Sequence, residues 1–265
     1  MQAEILNVDR VKDRLSAGYI GKNLVLLDTV DSTNNYLKKL GSEGCENGTV
    51  VATREQTAGK GRLGRVWLSE KDCCLMFSFL LRPRVGLAQV SAITPLCGLA
   101  LCKALRKYTG LDCMIKWPND IIIGSKKLAG ILTEISIKNE KDYFTVTGVG
   151  LNVAQTFFSE EIAHKATSLF LETGRSSDMS ELLALIINYI EREIEENGFA
   201  ISEKALAEYS SACATLGREV EFFRNGVKCS GKAVEIDSNG ELIVKLEDSS
   251  LYKINSGEVT VQGIY

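Results

Sequence analysis

The texture of the sequence changes after Leu216, and that break limits the folds open to the chain. Beyond it, segments 218–223, 227–236, 241–246, 251–254 and 258–262 are short and strand-like, and Asn225-Gly226 and Asn239-Gly240 supply hairpin turns. Five short strands at roughly ten-residue spacing point to a small β-barrel. The residues before it mix strands and helices without regular βαβ alternation, which favours an α+β architecture around a mixed, largely antiparallel sheet with flanking helices. Two units are therefore expected, at 1–215 and 216–265.

Within the first unit, Asp9 is the expected N-cap of a short helix carrying Val11 and Leu15. Residues 23–28 read as a buried strand. Asp31-Ser32-Thr33-Asn34 then offers several N-caps for a helix through Leu40. Strands are expected at 49–53 and 75–81, and a mostly apolar helix from Thr94-Pro95 to Tyr108. Segments 112–117 and 120–123 flank Pro118, with 128–137 returning across the 124–126 turn and a further strand at 143–152. Ser180 is the expected cap of a helix with apolar positions 182, 183, 186, 187, 190 and 194, and a last helix covers 202–214.

Composition removes several function classes. With 31 basic and 34 acidic side chains the net charge is −3, which argues against nucleic acid as a partner. Apolar residues make up 45% and charged residues 25%, ordinary globular values. No apolar run reaches the roughly 18 residues a membrane span needs. Residues 1–10 hold two acidic side chains and no apolar stretch of the secretory kind, so a cytoplasmic protein is expected. The eight cysteines form no C-x-x-C pair and His164 is the only histidine, which speaks against zinc. Adjacent Cys73 and Cys74 read either as a redox pair or as small buried hydrophobes of a reducing compartment. A Ser-His-Asp or Cys-His enzyme would have to use His164, whose surroundings, EEIAHKATSL, hold no nucleophile motif.

Three polar constellations interrupt this core-building sequence. In Gln56 to Arg65, Gly59, Gly61 and Gly64 alternate with Lys60, Arg62 and Arg65. Glycines leave backbone N–H groups free to curl round an anion and the cations neutralise it, although a basic surface loop has the same composition. It is not a P-loop, since G-x-x-x-x-G-K-[ST] is absent. Lys116-Trp117-Pro118-Asn119-Asp120 precedes Lys127-Leu128-Ala129-Gly130. Pro118 biases Trp117 to an extended conformation, and Gly130 inside a strand signals close approach to the backbone. The alternative is a charged turn beside a packed tryptophan. Gly148-Val149-Gly150-Leu151-Asn152 again signals close approach or a bulge. Helix capping accounts for all of Asp31-Ser32-Thr33-Asn34, yet those hydroxyls and that amide also suit a neutral urea or amide group. Together the constellations point to a phosphate-bearing anion beside a rigid apolar pocket. Adenylation of a carboxylate fits, because it needs a cationic clamp more than a protein nucleophile.

The order D-S-T-N, E-Q-T-A-G-K-G-R-L-G-R-x-W, K-W-P-N-D, K-L-A-G-I-L-x-E and G-x-G-x-N resembles the biotin protein ligases, the biotin–[acetyl-CoA-carboxylase] ligase family. The resemblance runs from Leu24 to Asn152, and Ala166-Thr167-Ser168-Leu169 is similar too. It implies a class II aminoacyl-tRNA synthetase-like catalytic domain with a C-terminal SH3-like barrel. The implied activity has two steps. Biotin and ATP, with Mg²⁺ carried on its phosphates and no metal site in the protein, form biotinyl-5′-adenylate; a lysine of a biotin carboxyl carrier protein then takes the biotin.

By the same resemblance, the biotin site would comprise Ser32, Thr33, Asn34, Gln56, Gly59, Lys60, Arg62, Lys127, Gly130, Gly148 and Gly150. Of these, Ser32, Thr33 and Gln56 would hold the ureido ring. ATP would meet Lys60, Arg62, Arg65, Trp67, Lys116, Asn119, Lys127 and Asn152, and Lys127, Arg62, Lys116 and Asp120 would be catalytic. Two positions depart from the pattern. Lys60 stands where the family usually has arginine, which loses a bidentate grip, and Met76 stands where an aromatic residue often closes the biotin pocket. Repressor-type members carry an N-terminal winged helix, whereas only residues 1–22 precede the first strand here, so no DNA binding is expected. Edge-to-edge pairing of the sheet into a homodimer is compatible with the sequence. The alternatives are a lipoate ligase or octanoyltransferase of the same superfamily and a non-catalytic biotin sensor.

Overall fold

A computed structural model describes residues 4–139, 142–255, 257 and 259–265. The first helix, α1 (Val8–Lys12), is capped by Asn7, whose side chain accepts the Arg10 N–H at 3.0 Å. Asp9 lies inside the helix instead, because Asn7 is the residue with the extended backbone that a cap needs.

Then follow β1 (Leu24–Val30), α2 (Thr33–Ser42), β2 (Val50–Gln56), β3 (Cys74–Leu81), α3 (Ile93–Thr109), β4 (Cys113–Lys116) and β5 (Asp120–Ile123). The long strands β6 (Lys126–Asn139) and β7 (Asp142–Asn152) complete the first sheet, whose order is β1-β2-β3-β7-β6-β5-β4. Only β1 and β2, joined through α2, run parallel; every other pair is antiparallel. The mixed sheet expected from the sequence is therefore present.

Two short helices, α4 (Glu160–Ala163) and α5 (Leu169–Thr173), precede α6 (Met179–Asn197) and α7 (Glu203–Ala212). Asp178, not Ser180, caps α6, accepting the Ser180 and Glu181 N–H groups. The Ser180 hydroxyl instead accepts the Asn7 N–H at 2.9 Å, which ties α1 to α6. The second sheet is antiparallel and follows the order β11-β10-β9-β8-β12, with β8 (Glu219–Arg224), β9 (Val227–Ile236), β10 (Leu242–Lys245), β11 (Leu251–Ile254) and β12 (Thr260–Val261). Of the expected strand 258–262, Glu258 lies outside the described residues, as do residues 1–3 of the expected N-terminal segment.

Strand β3 explains the layering. All eight of its residues are buried, so both sheet faces are covered at this point. Phe77 and Phe79 join the main core with α3 and α6, whereas Leu80 joins a smaller cluster with Leu37 of α2, Val51, Phe144 and Val146. Met76 and Ser78 share the α2 face with Leu80 by the two-residue period of a strand.

Helix α2 sits so close to this face that a Cβ on Gly41 would lie 2.5 Å from Leu80 Cδ1 and from Phe144 Cε2. Gly41→Ala is therefore expected to destabilise the protein by about 1–3 kcal/mol through overpacking. Urea unfolding would show it as a lower midpoint at unchanged slope.

The two sheets are joined through Trp117, whose indole N–H donates to Gly240 O at 2.9 Å and whose backbone N–H donates to Thr215 Oγ1 at 3.0 Å. Side chains of both sheets share one buried cluster. All eight cysteines are free thiols, and burial pushes the Cys74 thiol far above its ordinary pKa. Among the described residues, no three His, Cys, Asp or Glu side chains gather to hold a metal, and no helix is long and apolar enough to cross a membrane.

Candidate active site

Cross-strand register builds the floor of the site. Ser78 of β3 pairs with Gly148 of β7, which pairs with Leu132 of β6. One step along, Met76 pairs with Gly150, Gly150 with Gly130, and Gly130 with Asp120 of β5. Directly paired residues point to the same face. Three glycines in two adjacent rows thus cut a trough into the α2 face of the sheet, with Asp120 at its end.

Side chains fill the space that the missing Cβ atoms leave. The Trp67 indole lies across Gly150, where a Cβ would meet its Cε2 at 2.6 Å, and reaches Gly130, where the nearest indole atom would be 3.3 Å away. The Asn34 carboxamide lies over Gly148, where a Cβ would meet Oδ1 at 2.3 Å. The expected close approach to glycine is therefore made by the protein's own side chains, which wall the trough.

The first chamber, with an empty volume of about 480 Å³, lies between α2, the trough and the loop after β2. One end is neutral and hydrogen-bonding. The Thr33 N–H and hydroxyl both donate to Gln56 Oε1, at 2.8 and 3.1 Å. Ser78 Oγ lies 2.7 Å from Thr33 Oγ1 and 2.6 Å from Asn34 Oδ1, and its single proton serves one of them. The Asn34 amide donates to Glu134 Oε2 at 2.8 Å, and Lys38 holds the other Glu134 oxygen at 2.7 Å. Burial opposes the charge of Glu134, but the bonds from Lys38 and Asn34 outweigh it and hold the carboxyl below its ordinary pKa.

Ser32 occupies the N-cap position of α2, is 2% exposed, and makes no capping bond. Ser32 lines the chamber. Capping therefore does not account for these side chains: Ser32 makes no cap bond, and Thr33 and Asn34 bond across the sheet.

The loop from Thr57 to Cys73 roofs the chamber. Its far end is clamped by Arg54, which donates to both oxygens of Asp72 at 2.8 and 2.7 Å and to Asp28 at 2.9 Å. Within the loop the Trp67 N–H donates to Gly59 O at 2.9 Å, which fixes where the indole falls. The Trp67 indole N–H is buried and has no hydrogen-bond partner. Lys60 Nζ donates to Asn35 Oδ1 at 2.6 Å. Arg62 reaches Asn119 Oδ1 at 2.8 Å and Gly257 O at 3.0 Å, spanning from the loop to the residue before β5 and to the connection between β11 and β12.

Arg62, Trp67, Asn119 and Lys127 also border the second chamber, with an empty volume of about 660 Å³. Among the described residues, the cationic side chains of Arg62, Arg65, Lys116 and Lys127 line it beside one carboxylate side chain, Asp120, which makes it a place for an anion. Lys127 Nζ stands 2.7 Å from Asp120 Oδ1, off the line of a hydrogen bond, and 5.6 Å from the Trp67 ring. The Lys127 backbone is fixed on both sides, donating to Lys165 O at 2.7 Å and accepting from the Thr167 N–H at 2.9 Å. Asn119 is likewise fixed, its amide donating to Ile131 O at 2.9 Å.

Most of the expected site residues converge here. Ser32, Thr33, Asn34, Gln56, Lys60, Arg62, Lys127, Gly130, Gly148 and Gly150 line the first chamber, and Arg62, Arg65, Trp67, Lys116, Asn119, Asp120 and Lys127 line the second. Two do not. Gly59 supports the Trp67 backbone, and Asn152 is buried with its amide on Thr167 O at 2.9 Å, holding the segment that fixes Lys127. Met76 lies below the chamber, its sulfur 3.4 Å from Gln56 Nε2 and 3.0 Å from Ser69 Oγ. Sequence reasoning assigned no site role to Ser78, Glu134 or Tyr265. Glu134 closes the K-L-A-G-I-L-x-E motif, and Ser78, a serine inside a wholly buried strand, was a second signal, since a buried hydroxyl requires a partner.

Residues 26–152 match the Biotin/lipoate A/B protein ligase family, and residues 215–261 match the Biotin protein ligase C terminal domain. The biotin–[acetyl-CoA-carboxylase] ligase of Paracoccus denitrificans is 31% identical over 83% of this chain and 93% of its own length. The chain belongs to the biotin protein ligase family. The bifunctional ligase/repressor BirA of Bacillus spizizenii is 30% identical over 96% of this chain and 78% of its own. A biotin protein ligase from Aquifex aeolicus, solved in complex with biotin and ATP, superposes with a TM-score of 0.76 at 33% identity, covering 91% of this chain and 99% of that one. The α+β sheet with a small antiparallel C-terminal sheet is the fold of this family.

Proposed function

We infer that this protein activates biotin with ATP to biotinyl-5′-adenylate and transfers the biotin to a lysine of a biotin carboxyl carrier protein. The observation that carries the reading is the pairing of two chambers: a neutral hydrogen-bonding end joined through a glycine trough to a chamber of four cations. Such a site suits a ligand with a neutral polar ring at one end and a carboxylate that meets a triphosphate at the other. Family membership names that ligand class.

The chemistry divides between the chambers. The ureido ring lies against Ser32, Thr33 and Gln56, with Asn34 and Glu134 holding that end rigid. The carboxylate reaches Lys127 at the join. A carboxylate oxygen attacks the α-phosphorus, the bond to the β-phosphate oxygen breaks, and pyrophosphate leaves. Lys127 and Arg62 offset the charge that grows on the α-phosphate, and Lys116 and Arg65 hold the departing phosphates. Asp120 orients Lys127, Asn119 orients Arg62, and Trp67 separates the adenylate from water. In the second step a neutral lysine amine of the carrier attacks the adenylate carbonyl, AMP departs, and the nitrogen sheds a proton.

Magnesium would enter on the ATP phosphates and supply charge that offsets their oxygens. It normally takes one or two protein carboxylates beside phosphates and water, and among the described residues Asp120 is the carboxylate side chain that lines the second chamber and would serve it. We place the catalytic unit at residues 1–215 and the carboxy-terminal unit at 216–265. The eight free thiols suit a reducing cytoplasm.

The test is pyrophosphate release from ATP supplied with biotin, lipoate or octanoate in turn, followed by mass spectrometry of a carrier domain. Release with biotin alone and a biotinylated carrier lysine are expected. Release driven by lipoate or octanoate would move the chain to the sister enzymes. Tight biotin binding without turnover would make it a sensor.

A further inference from the structure

The segments flanking β12 contribute Val259 and Tyr265 to the cationic chamber. Tyr265, which follows β12, lines it beside Lys116, Asp120 and Lys127. Its backbone N–H donates to Ser125 O at 3.2 Å, in the turn between β5 and β6. The Lys116 ammonium, on a side chain buried to 8% exposure, stands 3.4 Å from the centre of the Tyr265 ring. The Tyr265 hydroxyl donates to Asp120 Oδ2, while Lys127 stands 2.7 Å from Asp120 Oδ1.

One side chain therefore touches both of the chamber's lysine systems: Lys116 through its ring face and Lys127 through the carboxylate between them. An aromatic face attracts an ammonium toward its centre, so the Tyr265 ring holds the Lys116 ammonium on one side. The phenol fixes the Asp120 carboxylate, and with it the rest position of Lys127.

We propose that Tyr265 is a positioning residue for the nucleotide step, holding Lys116 through its ring and Lys127 through Asp120. The proposal rests on the ligase reading for the identity of the anion, ATP, but its contacts exist without it.

Two variants separate the two links. Tyr265→Phe keeps the ring and removes the hydroxyl; Tyr265→Ala removes both. Lysine reactivity in each, read by mass spectrometry after brief treatment with acetic anhydride, requires no enzymatic activity. In Tyr265→Ala, Lys116 labelling is expected to rise about tenfold, the scale of a desolvated ring–cation contact, whereas Tyr265→Phe leaves Lys116 as in the parent protein.

In biotin-dependent ATP–pyrophosphate exchange, Tyr265→Ala is expected to raise KM for ATP about tenfold with KM for biotin unchanged. Tyr265→Phe is expected to lower kcat about tenfold, the scale of a lost hydrogen bond to a charged group, with KM for ATP unchanged. Equal Lys116 labelling in all three proteins, or equal rises in both KM values, would overturn the proposal. If the parent protein shows no biotin-dependent exchange, the ligase reading falls, and the labelling comparison still decides the role of Tyr265.

Discussion

Lys127→Ala is expected to lower biotin-dependent pyrophosphate release by about a hundredfold to a thousandfold, the range for removal of one preorganised group that offsets transition-state charge. Lys127 is where the two chambers meet, and its ammonium is the cation beside Asp120 at the end of the glycine trough. Its backbone bonds to Lys165 and Thr167 do not involve the side chain, so strand β6 stays in place when the side chain is cut back. Asp120 is not left bare, because Tyr265 still donates to its other oxygen. The thermal midpoint should therefore move little while the rate collapses. Lys127→Arg is expected to recover only part of the rate, since a longer planar guanidinium cannot stand where a compact ammonium fits over Gly130. Adenylation near the parental rate in Lys127→Ala would remove Lys127 from the mechanism.

The parts of this design that are local in sequence were legible there. A stretch at 75–81 that is apolar apart from Ser78, and the glycines at 130, 148 and 150, mark a buried strand and close approach, because strand period and a missing Cβ act within a few residues. Lys127 and Lys116 stood out because charged residues beside a rigid hairpin have few structural reasons to be there.

Choices between near-equal neighbours were not legible. Asn7 rather than Asp9, and Asp178 rather than Ser180, are decided by which residue the tertiary packing leaves extended. Between the two readings of the Ser32 to Asn34 segment, capping and a polar site, local sequence could not choose. Its composition satisfies helix capping, yet its side chains are drawn to Gln56, Ser78 and Glu134 on three different strands. Asn152, expected on the nucleotide side, lies outside the lining of both chambers with its amide on Thr167 O. Tyr265 carried no signal at all, since nothing in its local sequence places it over Lys116.

Gly150→Ala is expected to raise KM for biotin by about ten- to a hundredfold, equivalent to about 1.4–2.8 kcal/mol at about 1.4 kcal/mol per decade. The added methyl would lie 2.6 Å from Trp67 Cε2, 2.9 Å from Cζ2 and 3.0 Å from Cδ2, so the indole cannot stay where it is. Nor can it slide within the loop, because the Trp67 N–H is bonded to Gly59 O, and a Cβ on Gly59 would itself be 2.5 Å from Trp67 O. The remaining path is for the ring to swing off the trough, which opens the wall between the chambers. Gly148→Ala should act at the other end. Its methyl would be 2.3 Å from Asn34 Oδ1, and Asn34 is held by Ser78 and Glu134, so the polar end must rearrange as a unit. Gly130→Ala is the control. Its closest neighbours, Lys127 Cε and Nζ at 3.1 Å, are the far end of a flexible side chain, so KM for biotin should hold within a few-fold while kcat falls as Lys127 is pushed aside. Steady-state exchange kinetics on the three variants distinguish these outcomes. A parental KM for biotin in Gly150→Ala would show that Trp67 does not wall the biotin chamber in the working enzyme.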